Sequence, residues 1–144
     1  MYRSGDSWGV ERPTVSDGRL GPDRQADLAV MRKWLDKALV NETRWTTDDL
    51  LLLIIQGKMQ VFLDEHGIVL TEIIVTRDKR LLVFLLGGEK IHLWKDRMNE
   101  RLKAYAKERG CVCIETWARL DAEGRLKQMG YVKEQVVMRH YLES

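Results

Sequence analysis

The stretch that decides the fold is Arg80 to Trp117, RLLVFLLGGEKIHLWKDRMNERLKAYAKERGCVCIETW. It opens with an apolar run, Leu81 to Leu86, that ends at Gly87-Gly88. The run has no polar alternate face, which predicts a central strand covered on both sides. Further on, Met98, Leu102, Tyr105 and Ala106 recur at helical spacing, so a helix is expected over Lys95 to Arg109. Gly110 stops it, and Cys111 to Trp117 reads as another strand. Because the link from Leu86 to that strand is long and holds a helix, the two strands can lie parallel.

Outward from this unit, three strands are expected over Met59 to Asp64, Ile68 to Thr76 and Leu81 to Leu86. Their connections are short, which makes neighbouring strands antiparallel. Val61 and Leu63 suggest that the first of them is half-exposed. Leu28, Met31, Trp34, Leu35, Ala38 and Leu39 mark an amphipathic helix from Asp23 to Val40. Pro22 and Asp23 suit its first turn. Leu50 to Ile55 fits either a buried strand or a buried helix by periodicity. Thr46 and Asp49 form a capping-box pattern and Gly57 closes the run, so a short helix is preferred. A short helix from Asp121 to Met129, stopped by Gly130, and a last strand from Tyr131 to Leu142 complete the chain.

The first 21 residues are polar and glycine-containing, with no periodicity, and predict a flexible or extended arm ahead of a single domain over 22–144. Trp8 stands out in that arm. With Trp45 and Trp94 it is a candidate for contact with another protein subunit.

Composition sets limits on function. A chain of 144 residues can bury one sizeable core. Its 24 basic and 22 acidic residues nearly cancel, so no general attraction to nucleic acid or anionic membrane is expected. The basic excess on the Lys95–Arg109 helix reads as a solvated face. No apolar run approaches membrane-spanning length, and no signal-peptide pattern is visible. Cys111 and Cys113 are spaced for one strand face, lack metal-binding companions, and read as small core residues. Free thiols suit synthesis in the reducing cytoplasm. No nucleophile motif, metal spacing or Walker-type loop is present.

The element order, helix–helix–three antiparallel strands–helix–strand–helix–strand, resembles the GNAT acyltransferase fold, a mixed central sheet flanked by helices. LLVFLLGG (81–88) followed by AKERGC (106–111) is similar to the family's cofactor-binding segment. RLKQMGYVKEQVVMRHYL (125–142) is similar to its closing helix, Gly-aromatic pair and final strand. More narrowly, TEIIVTRDKRLLVFLLGG (71–88), AKERGC and MGYV resemble small GNAT-like proteins encoded among virion-assembly genes of tailed phages.

The resemblance implies that backbone N–H groups at a helix N-terminus hold the acetyl-CoA pyrophosphate. It makes Gly87, Gly88, Lys90 and Ile91 the cofactor-binding candidates. The loop departs from the family pattern of Gln or Arg, two residues, Gly, one residue, Gly or Ala. Its glycines precede the turn, Glu89 adds negative charge that Lys90 and His92 offset in part, and Ile91, Leu93 and Trp94 look like a plug or a packing surface. The family's acid, a Tyr four residues before the Gly of the Gly-aromatic pair, is Leu126 here. A frequent Asn seven residues earlier is Arg119, while the small residue after it is matched by Ala122. Leucine has no proton to give a leaving thiolate. Glu72 and Glu115 are the candidate bases, each also readable as a solvent-facing strand position. His66 and His140 lack a Ser or Cys partner, and Tyr105 and Tyr131 read as packing residues.

Two functions follow as expectations. One is a GNAT-fold protein without acetyl-CoA chemistry, serving as a structural or interaction subunit, as in a phage virion. The alternative is an acetyl-CoA-dependent N-acetyltransferase acting on an amine. A nucleic-acid-associated protein is the weaker third.

Overall fold

The computed structural model describes residues 12–118 and 122–143. Helix α1 spans Arg24–Ala38 and α2 Thr47–Ile55. Strands β1 (Gln60–Asp64), β2 (Gly67–Val75) and β3 (Lys79–Gly88) follow. Then come α3 (Ile91–Glu108), β4 (Cys113–Thr116) and α4 (Glu123–Gln128). The sheet order is β1-β2-β3-β4, antiparallel for the first two pairs and parallel for β3 with β4.

Each helix start has a local cause. The Asp23 side chain accepts from the Ala26 amide at 3.0 Å. At α2 the capping box forms in full: Thr46 Oγ1 accepts from the Asp49 amide, and Asp49 accepts from the Thr46 amide. That cap makes the ambiguous Leu50–Ile55 run helical.

The sheet separates two apolar layers. On one face Val61, Leu63, Ile68 and Leu70 meet Met31, Trp34, Leu35, Leu50 and Ile54 of α1 and α2. On the other, Phe62, Val69 and Leu81 meet Trp94, Met98, Leu102, Tyr105 and Ala106 of α3. Successive strand residues therefore enter opposite cores. This corrects the expectation of a half-exposed first strand: Val61, Phe62 and Leu63 are all fully buried.

Four further expectations change. The segment before α1 is no free arm over 12–21. Val15 is 2% exposed, and the buried Asp27 carboxylate accepts from the Thr14 amide, the Thr14 hydroxyl and, at 2.8 Å, the Gly21 amide. Gly18 N–H donates to Val61 O at 2.8 Å, and Arg101 donates to Leu63 O at 2.9 Å, so the outer edge of β1 is covered. Trp8 and the rest of the proposed arm lie outside the described residues. Helix α3 begins at Ile91, one turn earlier than Lys95, because Trp94 joins the Met98–Leu102 stripe facing the sheet. The cysteines are not core residues: Cys113 is exposed and Cys111 half-buried. Residues 131–143 form no strand with any described segment, and Val132 through Glu143 are exposed.

Candidate functional site at the start of helix α3

Strand β3 is longer than its parallel partner. Pairing with β4 covers Arg80 to Val83, opposite Cys113 to Thr116, and then stops. On its other side the register with β2 shifts. Leu70 faces Leu85 while Thr71 faces Val83, leaving Phe84 as the extra residue of a β-bulge. Phe84 to Gly88 thus have no strand neighbour on the β4 side among the described residues.

At the end of β3 the chain turns into α3. Gly87 and Gly88 are demanded here by packing. A Cβ on Gly87 would meet the Ala38 Cβ at 2.6 Å. Gly88 has φ 145°, and a Cβ on it would lie 2.3 Å from His66 O. Lys90 holds a left-handed conformation, φ 52°, and caps α3 without a side-chain hydrogen bond. The Ile91 and His92 amides find no backbone acceptor among the described residues. The helix thus opens with unpaired donors at the positive end of its dipole.

A cavity of about 570 Å³ lies at this opening, lined by Gly88, Glu89, Lys90, Ile91, His92, Lys95 and Arg125. Of the cofactor-binding candidates, Gly88, Lys90 and Ile91 line it, while Gly87 is buried against α1. Glu89, which looked unfavourable for an anion, is ion-paired. Its carboxylate lies 3.2 Å from Lys37 Nζ on α1, and that partner holds its pKa below the ordinary glutamate value. Lys90 and Arg125 then add positive charge to the lining, with His92 beside them and Lys95 3.1 Å from the Asp96 carboxylate.

Trp94 packs into the core, as one of the two readings of the loop had it, and offers no surface for contact with another subunit, which corrects that expectation. It is 1% exposed, and its indole N–H donates to Glu89 O at 2.9 Å. Trp45 is half-buried and stacks edge-on against Phe84, ring centroids 5.4 Å apart. Tyr105 packs edge-on against Phe62 in the core, as expected.

The two candidate bases share one face. Glu72 and Glu115 both lie opposite Leu82, in a single row across β2, β3 and β4. That row is six residues, about 20 Å, back along β3 from Gly88. Both oxygens of Glu115 are engaged, by Arg80 Nη1 at 2.8 Å and Trp117 Nε1 at 3.0 Å. Glu72 is half-buried. Leu126 is half-buried on α4, Ala122 caps that helix, and Arg119 lies outside the described residues. Burial raises the Tyr131 pKa, so its hydroxyl stays protonated well into alkaline pH. No group of three or more potential metal ligands occurs among the described residues. No described helix is long and apolar enough to cross a membrane.

Sequence reasoning missed Lys95, Arg125 and Lys37. The signal for Arg125 was its place in the same short helix as Leu126. Lys37 gave none, since 52 residues separate it from Glu89.

No protein-family model matches the chain, and no curated protein does. Solved structures do. An aminoglycoside acetyltransferase from an uncultured soil metagenomic sample is 15% identical, with a TM-score of 0.60 over 90% of this chain and 98% of that one. An acetyltransferase of Trypanosoma brucei is 12% identical, with a TM-score of 0.59 over 83% and 95%. A transcriptional regulator from Bacillus halodurans C-125 is 14% identical, with a TM-score of 0.59 over 89% and 99%. At such identities the likeness is one of fold. The four-stranded mixed sheet with flanking helices is a GNAT-like acetyltransferase fold.

Proposed function

We propose that the protein binds an acyl-CoA, with the cofactor's diphosphate in the cavity at the start of α3. The observation that carries this reading is the Lys37–Glu89 pair. It sets a cation against the one carboxylate of the cavity lining, which Lys90, Arg125 and Lys95 (itself 3.1 Å from Asp96) share with the unpaired first amides of α3. The unpaired backbone row of Phe84 to Gly88 offers hydrogen bonds to an extended amide-bearing chain leading away from the cavity.

When bound, the cofactor supplies a thioester, open to attack by an amine. Of the two carboxylates on the Leu82 row, Glu115 already has both oxygens occupied. Glu72 has no hydrogen-bond partner among the described residues, and is the group left to take a proton from the amine through water. Leu126 offers the departing thiolate no proton, so transfer would be slow beside binding.

Titration calorimetry with coenzyme A tests the reading. A micromolar dissociation constant that weakens about tenfold or more in Lys95→Glu and in Arg125→Glu is expected. No heat at millimolar coenzyme A would defeat it. The second reading, a non-catalytic interaction subunit such as a tailed-phage virion component, is favoured by the exposed apolar residues after Gly130. It expects no coenzyme A heat together with stable association into a larger assembly.

A further inference from the structure

Asn99 is the one side chain of α3 that is buried with a polar atom unmet. The residue is 8% exposed, and its Oδ1 has no hydrogen-bond partner among the described residues. A buried amide oxygen without a donor destabilises a fold, and leucine, of similar shape, would carry no such cost. An acceptor left in this state is open to a donor brought by a ligand.

Its place on the helix says what it faces. Arg97 and Arg101, two residues to either side, both reach β1: Arg97 Nε lies 2.8 Å from Asp64 Oδ1, and Arg101 Nη1 donates to Leu63 O at 2.9 Å. Two residues turn a helix by about 200°, so Asn99 looks away from β1, towards the β4 side. On that flank it follows Lys95 by one turn and His92 by two, and both line the cavity at the helix start. Helical side chains lean towards the N-terminus, which tilts the Asn99 amide back towards the same cavity.

Its level along the sheet follows from the course of α3, which runs back along β3. At the start of the helix Trp94 lies against Gly67, the residue paired with Gly88. Just past its end the Val112 amide donates to Lys79 O at 2.7 Å. The eight steps from Ile91 to Asn99 cover about 12 Å of helix, or about four residues of strand. Asn99 is therefore level with Phe84, the first residue of β3 beyond its pairing with β4. The helix amides, the open strand edge of Phe84 to Gly88 and the unmet oxygen all border the same side of β3.

We propose that Asn99 Oδ1 accepts a hydrogen bond from an amide N–H of the chain that an acyl-CoA carries beyond its diphosphate, the pantetheine arm. The inference rests on the acyl-CoA reading above and adds to it the residue that recognises the arm. That arm is a run of amides and methylenes. The strand edge meets it with backbone groups, and Asn99 meets it with a side-chain acceptor from the helix. The oxygen is already out of water, so the new bond strips no solvent from the protein side. Asn99 thereby separates ligands that bear the arm from nucleotides that end at the diphosphate, because only the first satisfy it. It binds and orients, and takes no part in making or breaking bonds.

Titration calorimetry of wild type and Asn99→Leu tests this, with coenzyme A and with adenosine 3′-phosphate 5′-diphosphate, the same nucleotide without the arm. In Asn99→Leu, coenzyme A should bind about tenfold more weakly, and the armless nucleotide within about twofold of wild type. The variant should unfold in urea at a midpoint no lower than wild type, since it leaves no polar atom unpaired. In wild type, the side-chain amide resonances of Asn99 should shift with coenzyme A and stay in place with the armless nucleotide. A wild-type protein that binds neither ligand defeats the acyl-CoA reading and this inference with it. Wild-type binding of coenzyme A that Asn99→Leu leaves unchanged defeats this inference alone. So does an equal loss for both ligands, an Asn99 resonance that responds alike to both, or a urea midpoint lower by more than about 1 M, which would place the amide in the fold's own bonding.

Discussion

Replacing Trp94 with phenylalanine separates a core anchor from a contact residue. The indole is 1% exposed and donates to Glu89 O at 2.9 Å. Its six-membered ring lies over Gly67, where an added Cβ would come within 2.6 Å of Cζ2. Phenylalanine has no N–H, so the Glu89 carbonyl loses its partner, at a cost of about 1–2 kcal/mol. The volume the smaller ring leaves unfilled costs about 1 kcal/mol more. The sum, about 2–3 kcal/mol, is a large share of the stability of a domain this size. In urea unfolding followed by far-UV circular dichroism, the midpoint should fall by about 1–2 M with the slope unchanged. Coenzyme A affinity should also fall, because the indole fixes the loop that places Lys90 and the first α3 amides. Trp45→Phe, at a half-buried site, should lose less than about 1 kcal/mol. A loss below about 1 kcal/mol in Trp94→Phe would refute the anchoring role.

Other perturbations test the remaining contacts. Asp27→Ala leaves the Thr14 and Gly21 amides without their acceptor; it should cost about 2–4 kcal/mol and speed tryptic cleavage at Arg19. Lys90→Gly relieves a left-handed lysine and should raise stability by about 1 kcal/mol in thermal unfolding, while calorimetry shows weaker coenzyme A binding from the lost charge. The folded pKa of Glu89 is depressed by Lys37, so the stabilisation it gives is present above the unfolded glutamate pKa and lost as pH falls through the folded one. Lys37→Met should accordingly show a flatter loss of stability from the usual glutamate pKa of about 4.3 downward, measured by urea midpoints across that window.

The layered architecture was legible because helix and strand periods differ. The stripe Leu28–Met31–Trp34–Leu35 and the run Leu81 to Leu86 leave little choice, and Thr46 with Asp49 settled the run that periodicity left open. The start of α3 was illegible for a physical reason: Lys90 caps it through backbone conformation and leaves no side-chain signature. Asp27 lies four residues before Met31 on the inward face of α1, a clue that something polar must reach it. The sequence between 131 and 142 shows which side chains need cover but not what covers them. At the site, the loop residues Gly88, Lys90 and Ile91 were recognisable from their place after β3. The cationic lining was not, since Lys37 and Arg125 reach the loop only through tertiary packing.

The parallel joining of β3 and β4 has a consequence for how the protein comes into being. Strands β1 to β3 need only short links, and their α1/α2 layer is complete once Gly88 has been made. The parallel neighbour waits for the whole of α3, and then forms only four pairs. During synthesis from the N-terminus, Phe62, Val69 and Leu81 therefore present an uncovered apolar face until Trp94, Met98 and Leu102 arrive. That interval is when a nascent chain is most open to capture by a chaperone or by another nascent copy, and its length is set by the time taken to translate one helix.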